Sequence, residues 1–234
     1  MYLRSTGILG LSGALLALLL LPVSVAAAQL RLHLVSSVPG NHHSAPAVAW
    51  LDPLPGTPAH TLVSTGHYTL LQKNRTFIPH LQVVPVGSVV SFPNKDPFFH
   101  NVFSLFNGKR FDLGLYEAGS SKSVTFSKEG VSYIFCNIHP EMSAVIVSLA
   151  TPYYAIADRR DSLTFSDVPP GQYKINIWIE GVPQAVLNTL SRTVRITARP
   201  LDFGDIRVPI GDSATVPHEN EFGRSYDKQP NPPY

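Results

Sequence analysis

The sequence predicts an all-β protein made of two β-sandwiches, the second smaller than the first. Three observations predict this class. Apolar, β-branched and aromatic residues occur in short runs that proline and glycine separate. Helical periodicity is absent after residue 28. A new set of strands begins after the Thr151-Pro152 junction, which places a domain boundary between residues 150 and 151.

Residues 1–28 are typical of a secretory signal peptide. Arg4 is their only charged residue, and an uncharged apolar run from Ile8 to Leu21 follows it. Three alanines at 26–28 fit a small-residue cleavage site, so we predict a mature start at Gln29 and a periplasmic or secreted location. The alternative is an uncleaved anchor, because the whole apolar stretch approaches the ~20 residues that cross a bilayer. No second apolar run follows, and we expect no membrane span after cleavage.

Residues 29–150 carry the alternating patterns and turn signals of the first sandwich. The Asn107-Gly108 and Glu129-Gly130 pairs are typical of tight turns between strands. The predicted strands are 30–36, 47–51, 61–65, 67–72, 81–84, 88–92, 101–104, 122–126, 132–136 and 144–149.

Residues 151–210 predict the smaller sandwich, with strands at 153–157, 162–165, 173–180, 194–197 and 201–208. The Pro169-Pro170-Gly171 turn and the alternation that begins at Tyr173 and Ile175 predict a hairpin with one buried face. Residues 211–234 are polar and rich in Pro, Asn, Ser and Asp, and we predict a disordered tail there.

The charge balance excludes some partners. The chain has 18 basic and 16 acidic residues, and no cluster of Lys or Arg. Such a distribution lacks the basic surface of a nucleic-acid-binding protein. No Ser-His-acid arrangement or paired-carboxylate motif is recognisable, so the sequence does not favour an enzyme.

Cys136 is the single cysteine of the chain, so it forms no internal disulfide. A lone cysteine in an exported protein is a buried inert thiol, an intermolecular bridge, a reactive nucleophile or a metal thiolate. The neighbouring residues favour the last interpretation.

A metal site is predicted where Cys136, His139 and Met142 fall within seven residues after a strand. Pro140 stiffens the loop that they share. A second imidazole comes from elsewhere in the fold, and His100 is the best candidate because it lies 36 residues earlier, where a loop enters a new strand. Two histidines, a thiolate and a weak thioether are typical of mononuclear copper sites. Zinc accepts the first three, but a thioether is a poor zinc ligand.

At these residues the sequence resembles the cupredoxins, which are Greek-key β-sandwiches. The tight Cys-x-x-His-x-x-Met loop is most similar to that of the amicyanins, and the resemblance covers residues 77–149. It implies one type 1 copper ion, with His100 and Cys136 as inner ligands, His139 as the solvent-facing imidazole and Met142 as the axial ligand. It also implies that Asn101 is an outer residue that ties the ligand loops together.

The chain as a whole resembles bacterial exported proteins described as methylamine-utilisation or plastocyanin-like. Residues 165–175 of the second sandwich resemble the carboxypeptidase regulatory-like and transthyretin-like domains. That resemblance implies a scaffold or interaction role without an active site. A methylamine pathway does not follow from the loop alone.

These observations favour outer-sphere electron transfer with a protein partner that docks near His139. Pro97, Phe98, Phe99, Ile138 and Pro140 fall in the two ligand loops and are candidates for an apolar docking face. Packing of one of the two phenylalanines inside the sandwich is the alternative. A non-redox copper-handling protein and an accessory subunit of an oxidoreductase are the other candidate functions. The sequence does not indicate the oligomeric state.

Overall fold

The computed structural model describes residues 28–37, 45–58, 64–105 and 108–208. Residues 1–27 of the predicted signal, positions 61–63 of the predicted strand 61–65, and the predicted tail at 211–234 lie outside this set. Within the described ranges, no helix is long and apolar enough to cross a membrane.

The all-β prediction is confirmed, because the described residues form strands and one short helix. In chain order the elements are β1 (Ala28–Ser36), β2 (Ala47–Pro53), β3 (His67–Thr69), β4 (Leu71–Lys73), β5 (Thr76–Ile78), β6 (Leu81–Pro85), β7 (Val89–Pro93), β8 (His100–Ser104), β9 (Phe111–Tyr116), β10 (Ser121–Thr125), β11 (Gly130–Phe135), β12 (Ser143–Leu149), β13 (Tyr154–Ile156), β14 (Ser162–Val168), β15 (Gly171–Ile179), α1 (Gln184–Leu190), β16 (Arg192–Ile196) and β17 (Leu201–Val208).

The first sandwich, which we call the site lobe, comprises the described residues from 64 to 149. Its sheets have the orders β10-β7-β3 and β6-β12-β11-β8-β9, and β4 and β5 form a separate hairpin. One apolar core lies between the sheets and includes Phe92, Phe126 and Ile134. Cys136 and Met142 belong to the same core, at the end where β11 stops.

The second lobe contains residues 28–37, 45–58 and 154–208. Its sheets have the orders β14-β1-β17 and β13-β2-β15-β16. β1 therefore pairs antiparallel with β14 and parallel with β17, and β2 pairs with β13 and β15. The strand pairing thus crosses the predicted boundary at 150/151, because β1 and β2 complete the sandwich of the C-terminal segment.

β12 separates the cores of the two lobes, and residues 144–149 are all buried. Successive side chains of a strand point to opposite faces. Accordingly Ala144 and Ile146 belong to the core of the site lobe, whereas Val145, Val147 and Leu149 belong to that of the second lobe. The second lobe therefore covers the outer face of the sheet that carries the predicted ligands.

Several strand and turn predictions need correction. The segments of the predicted Pro-Pro-Gly hairpin, β14 and β15, lie in different sheets, so the turn crosses between layers. β5 and β9 were not predicted. The register of β9 against β8 shifts between Asn101 and Phe103, so the burial of its side chains does not alternate regularly. The helix α1 was not predicted either. Its seven residues bury only Leu187 and Leu190, which is too short a pattern to reveal helical periodicity.

Candidate metal centre

Three of the predicted ligands converge at one end of the site lobe. His100 is the first residue of β8, Cys136 follows β11, and His139 lies in the loop before β12. One ligand atom from each of the three residues lies within 4.8 Å of the others. His100 and Cys136 are fully buried, whereas His139 is partly exposed. β8 and β11 are antiparallel neighbours, so the start of one strand meets the end of the other.

The distances between these atoms fit a bound ion. The Sγ atom of Cys136 lies 3.6 Å from Nδ1 of His100 and 3.6 Å from Nδ1 of His139. Bonds of ~2.0 Å to nitrogen and ~2.3 Å to sulfur place the two ligand atoms this far apart at an angle of ~114°. That angle lies between tetrahedral and trigonal geometry, so the donor set suits a single small cation.

Met142 closes the loop through its backbone. Its amide donates to the carbonyl of His139 at 2.9 Å, and its own carbonyl accepts from the amide of Cys136 at 3.2 Å. The Met142 side chain is fully buried in the same core as Cys136. Its role as an axial ligand stays a prediction.

Asp96 is the residue that the sequence analysis missed. Its Oδ2 lies 2.8 Å from Nε2 of His100, and both side chains are buried. A carboxylate on one ring nitrogen fixes the orientation of an imidazole and leaves the other nitrogen for an ion. Nδ1 of His100 accordingly faces the cysteine sulfur. The available signal was an acidic residue four positions before the histidine, inside the same loop.

Asp96 also holds the tip of the β4–β5 hairpin. Its carboxylate accepts the backbone amides of Asn74 at 2.6 Å and Arg75 at 2.9 Å. Both residues have φ in the left-handed region, at 55° and 57°, as a tight two-residue turn requires. Burial opposes ionisation of Asp96. The amide of Arg75, the ring of His100 and the amide of Asn74 outweigh burial and lower the pKa of Asp96.

Asn101 links the two ligand segments, in the position that the resemblance implies. Its Oδ1 accepts the backbone amide of Asn137 at 3.3 Å, and its Nδ2 donates to Asp112 at 2.8 Å. Its backbone amide donates to the sulfur of Cys136. Asn101, which directly follows His100, is thereby bonded to the sulfur of Cys136, to the loop after Cys136 and to β9.

The surroundings of Cys136 and His139 shift the pKa values of the two side chains in opposite directions. Burial raises the pKa of Cys136, although backbone amides of Asn101, Ile138 and His139 donate to its sulfur and favour the thiolate. Burial, His100 and the nearby Arg75 lower the pKa of His139 to about 4, against the opposing effect of Asp96. His139 is therefore neutral at pH 7, as a metal ligand must be.

Aromatic and apolar side chains surround His139. The ring of Phe98 packs against both imidazoles, with its centroid 5.3 Å from that of His100 and 5.6 Å from that of His139. The guanidinium of Arg75 lies 5.3 Å from the Phe98 ring. Phe99 is 55% exposed and Ile138 is 45% exposed. One of the two phenylalanines is thus packed and the other faces solvent.

No protein-family model matches this chain, and no curated protein matches it either. Several solved structures are similar to part of it. A purple cupredoxin from Nitrosopumilus maritimus is 24% identical with a TM-score of 0.32, over 36% of this chain and 99% of that protein.

A copper-containing nitrite reductase from Thermus scotoductus SA-01 is also similar, with 24% identity and a TM-score of 0.34 over 43% of this chain. The similar part is 26% of the reductase. A reduced amicyanin variant is 21% identical with a TM-score of 0.33, over 40% of this chain and 96% of the amicyanin.

Proposed function

We propose that this chain is an exported protein that binds one type 1 copper ion and transfers electrons by an outer-sphere mechanism. The observation that carries the proposal is the convergence of His100, Cys136 and His139, with 3.6 Å between the sulfur and each imidazole nitrogen. Two imidazoles and a thiolate with a weak fourth donor are the ligand set of blue-copper electron carriers. Met142 is the fourth donor in this proposal.

Hydrogen bonds within the chain hold the side chains of these predicted ligands in place. Asp96 fixes the ring of His100, and Asn101 ties the β8 ligand to the loop after Cys136. The carbonyl and amide of Met142 close that loop. A bound copper ion supplies the one-electron couple. The rigid protein ligands limit the rearrangement that accompanies a change of charge.

Electrons enter and leave at His139 in this proposal, because it is the one predicted ligand that reaches the surface among the three that converge. The exposed Phe99 and Ile138 lie in the two ligand loops and support docking of a protein redox partner there. Redox encounters use small interfaces, and a few apolar side chains suffice for them. Export to the periplasm or the medium rests on the signal-like residues 1–28.

The test is to load the chain from Gln29 with Cu(II) and to record optical and electron paramagnetic resonance spectra and the reduction potential. We expect an intense visible thiolate-to-Cu(II) band and a reversible potential. Cys136→Ser abolishes the band, because the hydroxyl does not replace the thiolate. Met142→Leu keeps the band but changes its position and intensity, because only the weak fourth donor is lost.

Other outcomes select another function. A colourless site that binds only Cu(I) or zinc contradicts electron transfer and favours a copper-handling protein. Turnover of a substrate by the isolated chain favours an oxidoreductase. A strong visible band that survives in Cys136→Ser contradicts the proposed ligand set.

A further inference from the structure

Two polar side chains, one in β15 and one directly after it, link the second lobe to the site lobe. Trp178, in β15, donates from Nε1 to the hydroxyl of Tyr133 at 3.1 Å. Glu180 follows β15 directly, and both of its carboxylate oxygens lie 2.9 Å from Nε2 of His80. Residues two apart in an extended chain point to the same side. The same side of β15 therefore faces the ligand-bearing sheet at both positions.

His80 joins this contact to the ligand loop. Its other ring nitrogen, Nδ1, lies 3.1 Å from the carbonyl oxygen of Ser143. A carbonyl and a carboxylate both accept hydrogen bonds, so the ring satisfies both only when each nitrogen carries a proton. The hydrogen bond that Nε2 of His80 donates to the carboxylate of Glu180 stabilises that charged form. The backbone carbonyl of His80 also accepts the amide of Val145 at 2.7 Å.

Ser143 directly follows Met142, so His80 bonds to the peptide next to the predicted axial ligand. The amide and carbonyl of Met142 are already bonded to His139 and Cys136 inside the loop. The carbonyl of Ser143 is the next backbone carbonyl, and His80 supplies its partner from outside the loop. The carbonyl of Met142 is therefore held from inside the loop and that of Ser143 from outside it.

We propose that Glu180 of the second lobe is a positioning residue. Acting through His80 and Ser143, it positions the Met142 end of the loop that runs from Cys136 to Met142. The part of the inference that concerns a bound metal rests on the proposed function. It gives the second lobe a specific task, since the lobe otherwise contacts the ligand-bearing sheet mainly through apolar side chains. As the weak fourth donor, Met142 would tune the properties of a bound copper ion, so a displacement of its side chain would be detectable.

The experiment compares His80→Ala and Glu180→Ala with Tyr133→Phe in the full chain. Tyr133→Phe is the matched control, because it removes the other hydrogen bond between the lobes without affecting Ser143. His80→Asn is the rescue variant, since its side-chain amide supplies a donor in the position of Nδ1. Each variant is examined metal-free by amide hydrogen exchange and with Cu(II) by optical and electron paramagnetic resonance spectroscopy.

We expect His80→Ala and Glu180→Ala to accelerate exchange of the Met142 and Cys136 amides about fivefold, the equivalent of one hydrogen bond. The copper spectra of these variants shift in the same direction as that of Met142→Leu. Tyr133→Phe leaves both readouts unchanged, and His80→Asn restores much of the wild-type exchange.

Unchanged exchange and spectra in folded His80→Ala would overturn the inference, as would equal changes in Tyr133→Phe. If the wild-type chain forms no thiolate-copper band, the proposed function fails. The amide exchange of the metal-free variants then still decides whether Glu180 and His80 position Met142. If Glu180→Ala does not fold, Glu180→Leu takes its place, since it fills similar space without a hydrogen-bond acceptor, and unchanged exchange in that folded variant would overturn the role of Glu180.

Discussion

The two lobes are both two-sheet sandwiches, but they differ in what they bury. Among the described residues, the buried polar and charged side chains all lie between Gln72 and Thr151. The second lobe buries aliphatic and aromatic side chains, such as Phe165 and Ile175. A buried polar group costs free energy unless it is hydrogen-bonded, so its presence needs a reason. The comparison indicates that the site lobe gives up some stability for chemistry, whereas the second lobe supplies packing.

The largest expected effect is on the free energy of unfolding, and it leaves the predicted metal site unchanged. Phe165→Ala in the second lobe removes a buried ring and lowers the free energy of unfolding by about 3–5 kcal/mol. We expect the copper spectrum of the folded variant to match the wild type, because Phe165 contributes to the other core. Urea unfolding and optical spectroscopy of one preparation test both statements. A changed spectrum would show that the two cores are not independent.

The next effect contrasts two aspartates that accept backbone amides. Asp96→Ala leaves two amides and the ring of His100 without their buried acceptor, which costs about 2–4 kcal/mol. Asp158→Ala is the control, since Asp158 accepts the amides of Arg160 and Ser162 on the surface of the second lobe. Water hydrates these amides when Asp158 is removed, so the free energy of unfolding falls much less than in Asp96→Ala. If urea unfolding shows that Asp96→Ala and Asp158→Ala lose the same free energy of unfolding, the proposed contrast between the lobes is wrong.

A smaller effect depends on pH and concerns the contact between the lobes. The hydrogen bond to Glu180 raises the pKa of His80, against the effect of burial. The contact therefore stabilises the folded chain fully below the ordinary histidine pKa of ~6.5, and this stabilisation is lost as pH rises through the raised value.

Because His80 is 40% exposed, we expect a difference of less than ~1 kcal/mol between wild type and Glu180→Gln. Urea unfolding of both proteins at pH 5.5 and pH 8.5 measures it. The difference is largest at the lower pH. A difference that grows as pH rises would contradict the assignment of the proton to His80.

The smallest effect concerns charge beside His139. Arg75 lies over Phe98 and contributes to the lowered pKa of His139, so its positive charge disfavours further positive charge at the site. We expect Arg75→Gln to favour the oxidised form, with a change of about threefold in the redox equilibrium constant. Lys73→Gln removes an exposed charge two residues away and is the control. Equal shifts in the two variants would point to a general effect of net charge.

Local patterns predicted the features that depend on local sequence. The strand 132–136 and the predicted ligands Cys136, His139 and Met142 fall close together in the chain, so a strand followed by a tight loop keeps them near one another. His100 was predicted from its position at the start of a strand, and the structure brings it within reach of Cys136. Its identity as a copper ligand remains a prediction.

Local sequence patterns could not predict hydrogen bonds between segments that are far apart in the chain. The bonds of Asp96 to the amides of Asn74 and Arg75 were not predicted, because the β4–β5 hairpin lies more than 20 residues before Asp96. The contact of His80 with Glu180 joins residues 100 positions apart. Neither contact leaves a periodic signal, since hydrogen bonds between different elements depend on how the sheets are placed.

The sequence alone determined the all-β class, most strand positions and the ligand loop, because alternation and turn residues report which side of a short segment is buried. The tertiary structure alone decided that β1 and β2 complete the second lobe and that β12 lies between two cores. The physical reason is that periodicity shows that a face is covered but not by which partner. The partner is chosen by the packing of the whole chain.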